Sequence, residues 1–499
     1  MVYISMDFSG MKVLVMGLGL HGGGLEAARF LYGRGAELTV TDLRDEKTLA
    51  PSIERLEEAR DGRPGRPPIR YVLGGHETDD FAKADAVIKN PGVRPDSPFL
   101  KAARRVETDI SLFLSAAPAR IVAVTGSKGK SCTASALHWV LARARENATA
   151  PESGGVPRRA FLGGNITVSP LAFLDELRET DDVVLELSSW QLGDLRGRTK
   201  TRDGAAVPLL KPAAAVLTAI LPDHQDFYGG MEPYVADKRV IYEGQGPDDV
   251  MVAWDDEWGR SFLSGSAAAG LVCSAAPLPP EVSGGWLERP DGPAFARLCG
   301  AYGGTVFDGS VTELVPARPL VPGHHQKRNL LAAGLALTGL GLAPETVREY
   351  LGTFPGIEHR MEMFHRAGGV DFYNDTAATI PEAAAAALET LSAEGPVVLV
   401  TGGTDKNLDF SPLAAAARKA KAVVLLAGSG SEKLRPMLDR AGVAFLGPFD
   451  SPDAAAAAAL EAAESGDSVV LSPGCSSFGM FLNEFDRGRR WKDAVRRLA

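Results

Sequence analysis

The sequence predicts an α/β protein of three domains, each a mostly parallel sheet with helices packed against it. Three observations predict this fold. A buried strand at residues 121–125 runs through a glycine-rich turn into a helical pattern. Residues 12–42 follow the order strand, glycine turn, helix and strand. After residue 369, apolar strands alternate with alanine-rich helices, which is typical of a doubly wound sheet.

The length of the chain agrees with three domains. It has 499 residues, and a domain usually takes roughly 150. Two segments with proline, Ala117-Pro118-Ala119 and Phe354-Pro355-Gly356, interrupt the strand and helix patterns. We therefore expect domains at residues 1–118, 119–355 and 356–499.

Composition excludes several classes of protein. The net charge of −10 makes a nucleic-acid groove unexpected. The four cysteines form no C-x-x-C pair, which indicates reduced thiols. The N-terminus lacks the pattern of a signal peptide, and no apolar run reaches the ~18 residues of a membrane span. We expect a cytoplasmic protein without a membrane span or a nucleic-acid partner.

The first domain starts with a Rossmann-like βαβ pattern. Residues 12–22 form a strand that enters a glycine turn with Gly17 and Gly19, and a second strand ends in Asp42. Asp42 is placed for a ribose hydroxyl or a base edge. Since Gly-x-Gly alone is weak evidence, NAD, another nucleotide or a structural turn all fit. A strand and turn at residues 86–93 would reach the same crevice.

The second domain opens with a phosphate-binding loop. Its residues are Gly126, Ser127, Lys128, Gly129, Lys130 and Ser131. The glycines let backbone N–H groups point at an anion, and the following helix N-terminus favours negative charge. Lys130 can reach the β- and γ-phosphates, and the Ser131 hydroxyl can bind Mg²⁺. Two residues rather than four separate the glycines, and the alternative is a turn that binds nothing.

Two further side chains of this domain are candidate metal ligands. Glu186 lies within an apolar strand, where a carboxylate is costly unless it is paired or binds a cation. Mg²⁺ is the expected partner beside a phosphate loop, although an edge-strand glutamate facing water is the alternative. His224 follows the strand at 213–220, at the end where open α/β sheets bind ligands.

Several segments carry weaker signals. Residues 57–68 are expected to be an exposed loop, and residues 196–211 an irregular basic insertion, either a lid or a solvated loop. In the third domain, strands are expected at residues 369–374, 396–401, 421–427 and 468–472. The polar residues that follow three of these strands would converge on one crevice.

Taken together, the motifs resemble the Mur ligase family over nearly the whole chain. The short phosphate loop is itself a trait of that family. The motifs are the loop at 124–131, Gly-Asn-Ile at 164–166, Glu-Leu-Ser-Ser-Trp-Gln-Leu at 186–192, Asp-His at 223–224, the helix with Lys238, Gly-x-His-x-x-x-Asn at 323–329, Glu-His-Arg at 358–360, Asn-Asp-Thr at 374–376 and Ser-Pro-Gly-Cys-Ser-Ser at 472–477.

The resemblance implies an ATP-dependent ligase. The branch with the most similar motifs adds D-glutamate to UDP-N-acetylmuramoyl-L-alanine through an acyl phosphate, in peptidoglycan precursor synthesis. Two Mg²⁺ ions are implied, held by Ser131, Glu186, His224 and a Lys238 that would be carbamylated. Lys130 would hold ATP phosphates, and a monomer is implied.

The resemblance also assigns binding residues. Asn329 would contact adenine, and Arg360 and Asp375 the ribose and phosphates of ATP. Asn165 would contact the sugar-nucleotide substrate. The uridine part would be bound by Gly17, Leu18, Asp42, Arg44 and Gly92, and the incoming amino acid by Thr379, Lys406 and Ser477.

Three positions depart from the D-glutamate branch. A lysine usual in that branch is replaced by Ala377, the usual Asn-Phe-Glu reads Asn483-Glu484-Phe485, and the usual His-Asn reads His325-Gln326. The first two lie near the expected amino-acid pocket. L-glutamate is therefore the alternative substrate, with D-glutamate favoured.

Other functions predict different features. A folylpolyglutamate-type ligase would normally lack the first nucleotide-binding domain. An NAD-linked oxidoreductase would use Gly17, Gly19 and Asp42 but leaves the phosphate loop, Glu186 and His224 unexplained. A nucleotide-binding switch without catalysis would bind ATP and not turn it over.

Overall fold

The computed structural model describes residues 7–20, 22–61, 67–146, 158–166, 168–202 and 204–498. The chain forms two compact units. One contains the chain up to Glu288 together with Phe295–Leu314 and Asn329–Tyr350. The other contains Arg289–Ala294, Val315–Arg328 and the chain from Leu351 onwards.

The first sheet is parallel, with strand order β3-β2-β1-β4-β5. Its strands are β1 (Lys12–Met16), β2 (Glu37–Asp42), β3 (Arg70–Leu73), β4 (Ala86–Lys89) and β5 (Val106–Glu107). The helices are α1 (Gly23–Gly33), α2 (Glu46–Asp61), α3 (Thr78–Lys83) and α4 (Asp109–Ala116). Alternate residues of β1 enter two apolar clusters, one on each face of the sheet, so apolar residues occupy both faces of this strand.

The expected loop at residues 57–68 is wrong in part. Residues 57–61 are the last turn of α2, and residues 62–66 lie outside the described residues. The abundance of Glu and Arg there reflects the exposed face of a helix, with Tyr71 donating a hydrogen bond to Glu57 at 2.6 Å.

The second sheet has nine strands in the order β16-β15-β14-β13-β12-β11-β6-β8-β7. It is parallel from β7 to β14, and β15 is antiparallel to β14. The strands are β6 (Arg120–Thr125), β7 (Ala160–Gly164), β8 (Asp182–Glu186), β11 (Ala214–Leu217), β12 (Val250–Trp254), β13 (Ala269–Ser274), β14 (Gly284–Trp286), β15 (Ala294–Tyr302) and β16 (Thr305–Val315), with β9 (Thr199–Arg202) and β10 (Ala205–Pro208) forming a separate pair.

Helices connect these strands. They are α5 (Lys130–Glu146), α6 (Ser189–Leu195), α7 (Gln225–Tyr228), α8 (Met231–Glu243), α9 (Glu257–Gly265), α10 (His324–Gly339) and α11 (Pro344–Gly352). The central strand β6 has β8 on one side and β11 on the other. Because all three are parallel, the residues that follow them meet at one edge of the sheet.

The expected irregular insertion at residues 196–211 is wrong. It contains the antiparallel hairpin of β9 and β10. Arg198 forms an ion pair with Glu107 at 2.6 Å and donates to the Val106 carbonyl. Lys200 donates to the Leu114 carbonyl at 2.7 Å. The basic side chains therefore bind β5 and α4 of the first sheet's layer, and their partners lie too far along the chain to be inferred from the local sequence.

The third sheet, in the second unit, has the order β17-β18-β22-β19-β20-β21. The strands are β17 (Glu362–Ala367), β18 (Val370–Asn374), β19 (Val397–Gly402), β20 (Ala422–Leu426), β21 (Phe445–Phe449) and β22 (Ser468–Leu471). The helices are α12 (Pro381–Ser392), α13 (Ser411–Ala416), α14 (Ser429–Ala441), α15 (Pro452–Ala462) and α16 (Glu484–Leu498).

The four strands expected in the third domain are confirmed as β18, β19, β20 and β22. Strands β17 and β21 were not expected. Both lie at the edges of the sheet and are only partly buried, so they lack the continuous apolar run by which a buried strand is recognised. Among the described residues, no helix combines the length and the apolar character that crossing a bilayer requires.

Candidate active site

The loop between β6 and α5 has the close backbone packing of a phosphate-binding loop. Gly126 has φ +147°, and a Cβ on it would lie 2.0 Å from Thr218 Oγ1. Gly129 has φ +94°, and its Cβ would lie 2.4 Å from Asn329 Oδ1. Neither position can hold a side chain without rearrangement. The second contact also places Asn329 beside the N-terminus of α5, where an anion is favoured.

Ser127 and Lys128 of the loop contact the segment that follows β11, and Ser127 also contacts α8. Ser127 Oγ lies 2.8 Å from both the Tyr234 hydroxyl and the Leu221 carbonyl. Lys128 is exposed and pairs with Ala219 through its backbone. Ser131 is half-buried in the first turn of α5. The loop is therefore held in shape by the segment that follows β11.

Two lysines, the half-buried Lys130 and the buried Lys238, face this loop. Lys130 Nζ donates to the carbonyls of Gly126 at 2.9 Å and Ser127 at 3.0 Å. Lys238 Nζ donates to the same Gly126 carbonyl at 2.9 Å. Burial lowers the pKa of Lys130, and burial with the charge of Lys130 lowers the pKa of Lys238 to about 7. The pair forms a desolvated basic site that suits a bound anion.

Glu186 ends β8 beside this basic site. Its Oε1 accepts a hydrogen bond from Asn165 Nδ2 at 3.0 Å. Its Oε2 is buried and has no hydrogen-bond partner among the described residues. A buried carboxylate oxygen without a donor is costly, so the site fits a cation. The alternative of an edge-strand glutamate facing water is wrong, since Glu186 is 1% exposed and β8 lies between β6 and β7.

His224 is presented by the turn after β11. It adopts a left-handed conformation with φ +52° and precedes α7. Its imidazole packs against the indole of Trp190, with ring centroids 4.6 Å apart. Ser131, Glu186 and His224 thus follow three neighbouring parallel strands, and Lys238 of α8 bonds the loop between them. The hydroxyl, carboxylate and imidazole of Ser131, Glu186 and His224 supply oxygen and nitrogen atoms of the kind that bind a divalent ion.

A separate cavity of about 410 Å³ lies at the carboxyl edge of the first sheet. Asp42 fixes its shape by accepting hydrogen bonds from the backbone N–H groups of Gly19 at 3.1 Å and Arg44 at 3.0 Å. Its lining is mixed, with apolar, amide and charged side chains together. The lining residues are Met16, Gly17, Gly19, Leu20, Asp42, Leu43, Arg44, His76, Asn90 and Val93.

Two predicted residues do not line this cavity among the described residues. The Leu18 side chain is buried in the core, and Gly92 is exposed with its N–H bonded to Asn90 Oδ1 at 3.1 Å. Sequence reasoning missed His76, whose Nδ1 lies 2.7 Å from Thr41 Oγ1. Asn90 could have been found, since it stands at the end of a predicted strand.

In the second unit, Asp375 follows β18 and is held by two donors. Ser472 Oγ donates to it at 2.7 Å and the Met361 N–H at 3.1 Å. Burial raises its pKa to about 6, although the hydrogen bonds and the charge of Arg360 oppose this. The structure therefore brings Arg360 and Asp375 together.

The loops after β19 and β22 are paired. Thr404 and Ser476 exchange backbone hydrogen bonds at 3.2 and 3.0 Å, which puts the exposed Lys406 and the buried Ser477 on neighbouring loops. Thr379 is half-buried in the turn before α12. Sequence reasoning missed Arg487, a buried residue that donates to Thr376 and to the Cys475 carbonyl. No local motif marks it, because its acceptors come from distant strands.

Comparison with known proteins places these sites in a family. Three family models match, described as Mur ligase MurD-like N-terminal domain at residues 11–111, Mur ligase middle domain at 124–274 and Mur ligase glutamate ligase domain at 359–475. A Treponema pallidum relative named UDP-N-acetylmuramoylalanine–D-glutamate ligase is 40% identical over 98% of each chain. The chain belongs to the Mur ligase family.

Other proteins agree with this membership. A Roseiflexus relative of the same name is 37% identical, over 98% of this chain and 99% of its own. The crystal structure of a UDP-N-acetylmuramate-alanine ligase, MurC, from Thermotoga maritima has a TM-score of 0.51 at 18% identity, covering 98% of this chain and all of that one. The latter likeness concerns the fold, and the predicted three-part α/β architecture of a Mur ligase is confirmed.

The match to an N-terminal domain of the MurD-like type counts against the folylpolyglutamate-type alternative, which normally lacks that part. Matches to the middle and glutamate ligase domains count against an NAD-linked oxidoreductase. The matched ranges fall inside residues 1–118, 119–355 and 356–499, which remain our proposed domain limits for this Mur ligase.

Proposed function

We propose that this Mur ligase joins D-glutamate to UDP-N-acetylmuramoyl-L-alanine and converts ATP to ADP and phosphate, as a step of peptidoglycan precursor synthesis. The observation that carries the proposal is the phosphate loop with Lys130 and the buried Lys238, beside a Glu186 oxygen that has no hydrogen-bond partner among the described residues. The names of the Treponema pallidum and Roseiflexus relatives support the choice of D-glutamate over L-glutamate.

ATP would bind on the loop at residues 126–131. Lys130 would exchange its contacts with the Gly126 and Ser127 carbonyls for contacts with the phosphates. The Lys130 ammonium would then have a negatively charged partner. Asn329, packed against Gly129, is proposed to contact adenine. Arg360 and Asp375 are proposed to bind the ribose and phosphates.

Ser131, Glu186, His224 and Lys238 are proposed to hold two Mg²⁺ ions. When bound, Mg²⁺ would offset the negative charge gathered around the transferring phosphoryl group. We also propose that Lys238 is carbamylated. With a pKa of about 7, much of its amine is neutral at cellular pH and able to add CO₂. The product is an anion, which replaces the repulsion between Lys238 and Lys130 with attraction.

The reaction proceeds in two steps. The carboxylate of the L-alanyl group attacks the γ-phosphorus of ATP, and the bond to ADP breaks to leave an acyl phosphate. The glutamate amine then attacks the acyl carbon, phosphate leaves, and the amine proton is lost. Lys130 keeps the phosphates in place during the first step, since catalysis of phosphoryl transfer is mainly positioning and charge stabilisation.

Substrate contacts are assigned to three sets of residues. Gly17, Leu18, Asp42, Arg44 and Gly92 are proposed for the uridine part, with Leu18 able to act only through its backbone because its side chain is buried. Asn165, which also orients Glu186, is proposed for the sugar-nucleotide substrate. The incoming amino acid is assigned to a third set, Thr379, Lys406 and Ser477.

Mass spectrometry of the product tests the proposal. Incubation with UDP-N-acetylmuramoyl-L-alanine, D-glutamate, ATP and Mg²⁺ is expected to give one new nucleotide species, heavier by glutamate less water. Omission of ATP is expected to abolish it. No product under any of these conditions, from protein that binds ATP, would favour the non-catalytic switch. We further propose a cytoplasmic monomer, for which light scattering would give the mass of one 52.7 kDa chain.

A further inference from the structure

Trp190 occupies a defined position at the start of α6. Ser188 and Gln191 form a reciprocal cap, in which each side chain accepts the other's backbone N–H at 3.2 and 3.0 Å. The indole is half-buried. Its centroid lies 4.6 Å from that of His224, at an interplanar angle of 43°, and 5.5 Å from that of Phe227. The capped start of α6 therefore holds the indole ring of Trp190 against His224.

His224 has little else to orient its ring. Its side chain is 43% exposed, and 3.9 Å separate His224 Nε2 from Asp223 Oδ1. Among the described residues the imidazole makes no hydrogen bond, and the residue's backbone is in the left-handed region. A metal ligand normally has a partner that fixes its ring. In this structure, the contact with the indole ring of Trp190 can fix the orientation of the His224 ring.

The contact is one of ring packing at a tilted angle and not of hydrogen bonding. Trp190 Nε1 is buried and has no partner among the described residues. Phe227 also packs against the indole at a tilted angle of 50°, and the Arg94 guanidinium lies 4.7 Å from the Phe227 ring centroid. His224 is therefore contacted by the carbon framework of the indole ring and not by its N–H group.

We infer that Trp190 is a positioning residue, whose ring holds the His224 imidazole in the orientation that binds a divalent cation. The inference rests on the proposed role of His224 as a metal ligand. Trp190 would touch neither ATP nor the cation. Because the support comes from the ring face, phenylalanine is expected to replace it and leucine is not.

The test measures Mn²⁺ binding to the full chain without substrates, by electron paramagnetic resonance of the free ion. We expect W190L to weaken Mn²⁺ binding by about tenfold or more, the usual effect of removing a residue that orients a ligand, and W190F to keep it within about twofold. H224A serves as the reference for loss of the ligand itself. Equal thermal midpoints for all variants would show that they are folded.

The outcomes distinguish the positioning role of Trp190 from the metal-binding role of His224 on which it rests. If H224A weakens Mn²⁺ binding and W190L does not, the positioning role is wrong and the metal role of His224 stands. If H224A binds Mn²⁺ as the unaltered protein does, the metal role fails, and the inference fails with it.

Fluorescence gives a second readout that does not depend on W190L being folded. The emission lost in W190F isolates Trp190 from the five other tryptophans. Paramagnetic Mn²⁺ bound at His224 is expected to quench that emission, and H224A is expected to abolish the quenching. Quenching that survives in H224A would overturn the inference.

Discussion

Lys130 and Lys238 donate hydrogen bonds to one and the same oxygen, the carbonyl of Gly126, each at 2.9 Å. The ammonium groups of the half-buried Lys130 and the buried Lys238 repel each other at this separation, and water screens them only in part. The pKa of Lys238 falls to about 7, first through burial and then through the charge of Lys130. The chemistry expected of Lys238 follows from this arrangement.

Lys238 is predicted to carry a carbamate whose amount depends on pH. Below pH 7 the amine is protonated and cannot add CO₂, and as pH rises through about 7 the neutral amine predominates. Carbon-13 NMR with labelled bicarbonate should show one protein carbamate signal that grows from pH 6 to pH 8. The signal should be absent in K238R and retained in K83R, a variant of an exposed lysine. A signal of equal strength in K238R would contradict the prediction.

Replacing Lys130 with alanine is predicted to lower the rate of phosphate release by at least about 10²-fold, as the loss of a charge-stabilising donor does. The thermal unfolding midpoint should change little. Partial burial disfavours the charged form of Lys130, as its lowered pKa indicates, so removing the charge relieves a desolvation cost. The matched control is K419A, which removes an exposed lysine paired with Glu389. Near-normal turnover in K130A would show that the loop does not hold the reacting phosphates.

Gly129 is predicted to be irreplaceable for steric reasons. G129A places a Cβ 2.4 Å from Asn329 Oδ1 at φ +94°, whereas G442A adds only the strain of φ +71° with no atom within 4 Å. That strain costs about 1 kcal/mol. ATP affinity, measured by calorimetry, should fall by more than about tenfold in G129A and remain unchanged in G442A. Equal ATP affinities for the two variants would refute the steric argument.

Asp109 is predicted to make stability depend on pH. It accepts hydrogen bonds from Ile110 N–H at 2.9 Å and Ser169 Oγ at 3.1 Å, yet burial raises its pKa from 3.8 to about 6. The folded protein therefore binds this proton more tightly than the unfolded chain. The free energy of unfolding should fall as pH rises from about 4 to 6, and the loss of up to about 3 kcal/mol persists above pH 6.

The variant D109N removes this charge while its amide can keep both hydrogen bonds. It should unfold at a higher temperature than the unaltered protein at pH 8, with the difference shrinking towards pH 4. D79N, at an exposed carboxylate, should show no such trend. A D109N protein that is less stable at pH 8 would mean that the ionised carboxylate stabilises the fold.

The features that could be predicted from the sequence are those formed by residues close together in the chain. The phosphate loop, Glu186 and His224 each sit at the end of an apolar strand, and parallel strands bring such ends together. The hairpin at 199–208 could not be predicted, because Arg198 and Lys200 find Glu107 and Leu114 about 90 residues away. The role of Arg487 could not be predicted either, since its acceptor Thr376 lies 111 residues away in the chain.

The sequence did not decide between D-glutamate and L-glutamate, because two departures from the D-glutamate branch lie near the proposed amino-acid site. Ala377 replaces an expected lysine, and the Glu484 carbonyl accepts a hydrogen bond from Thr376 Oγ1 at 2.8 Å. Glu484 thereby helps to fix the segment next to Ala377 through its backbone. A change of side chain at position 484 need not disturb that contact.

The most direct test of the central claim is phosphate release from ATP with UDP-N-acetylmuramoyl-L-alanine, measured side by side with D-glutamate and L-glutamate. We predict release that requires D-glutamate and is not supported by L-glutamate. Release with L-glutamate alone would contradict the assignment and direct attention to Ala377 and Glu484.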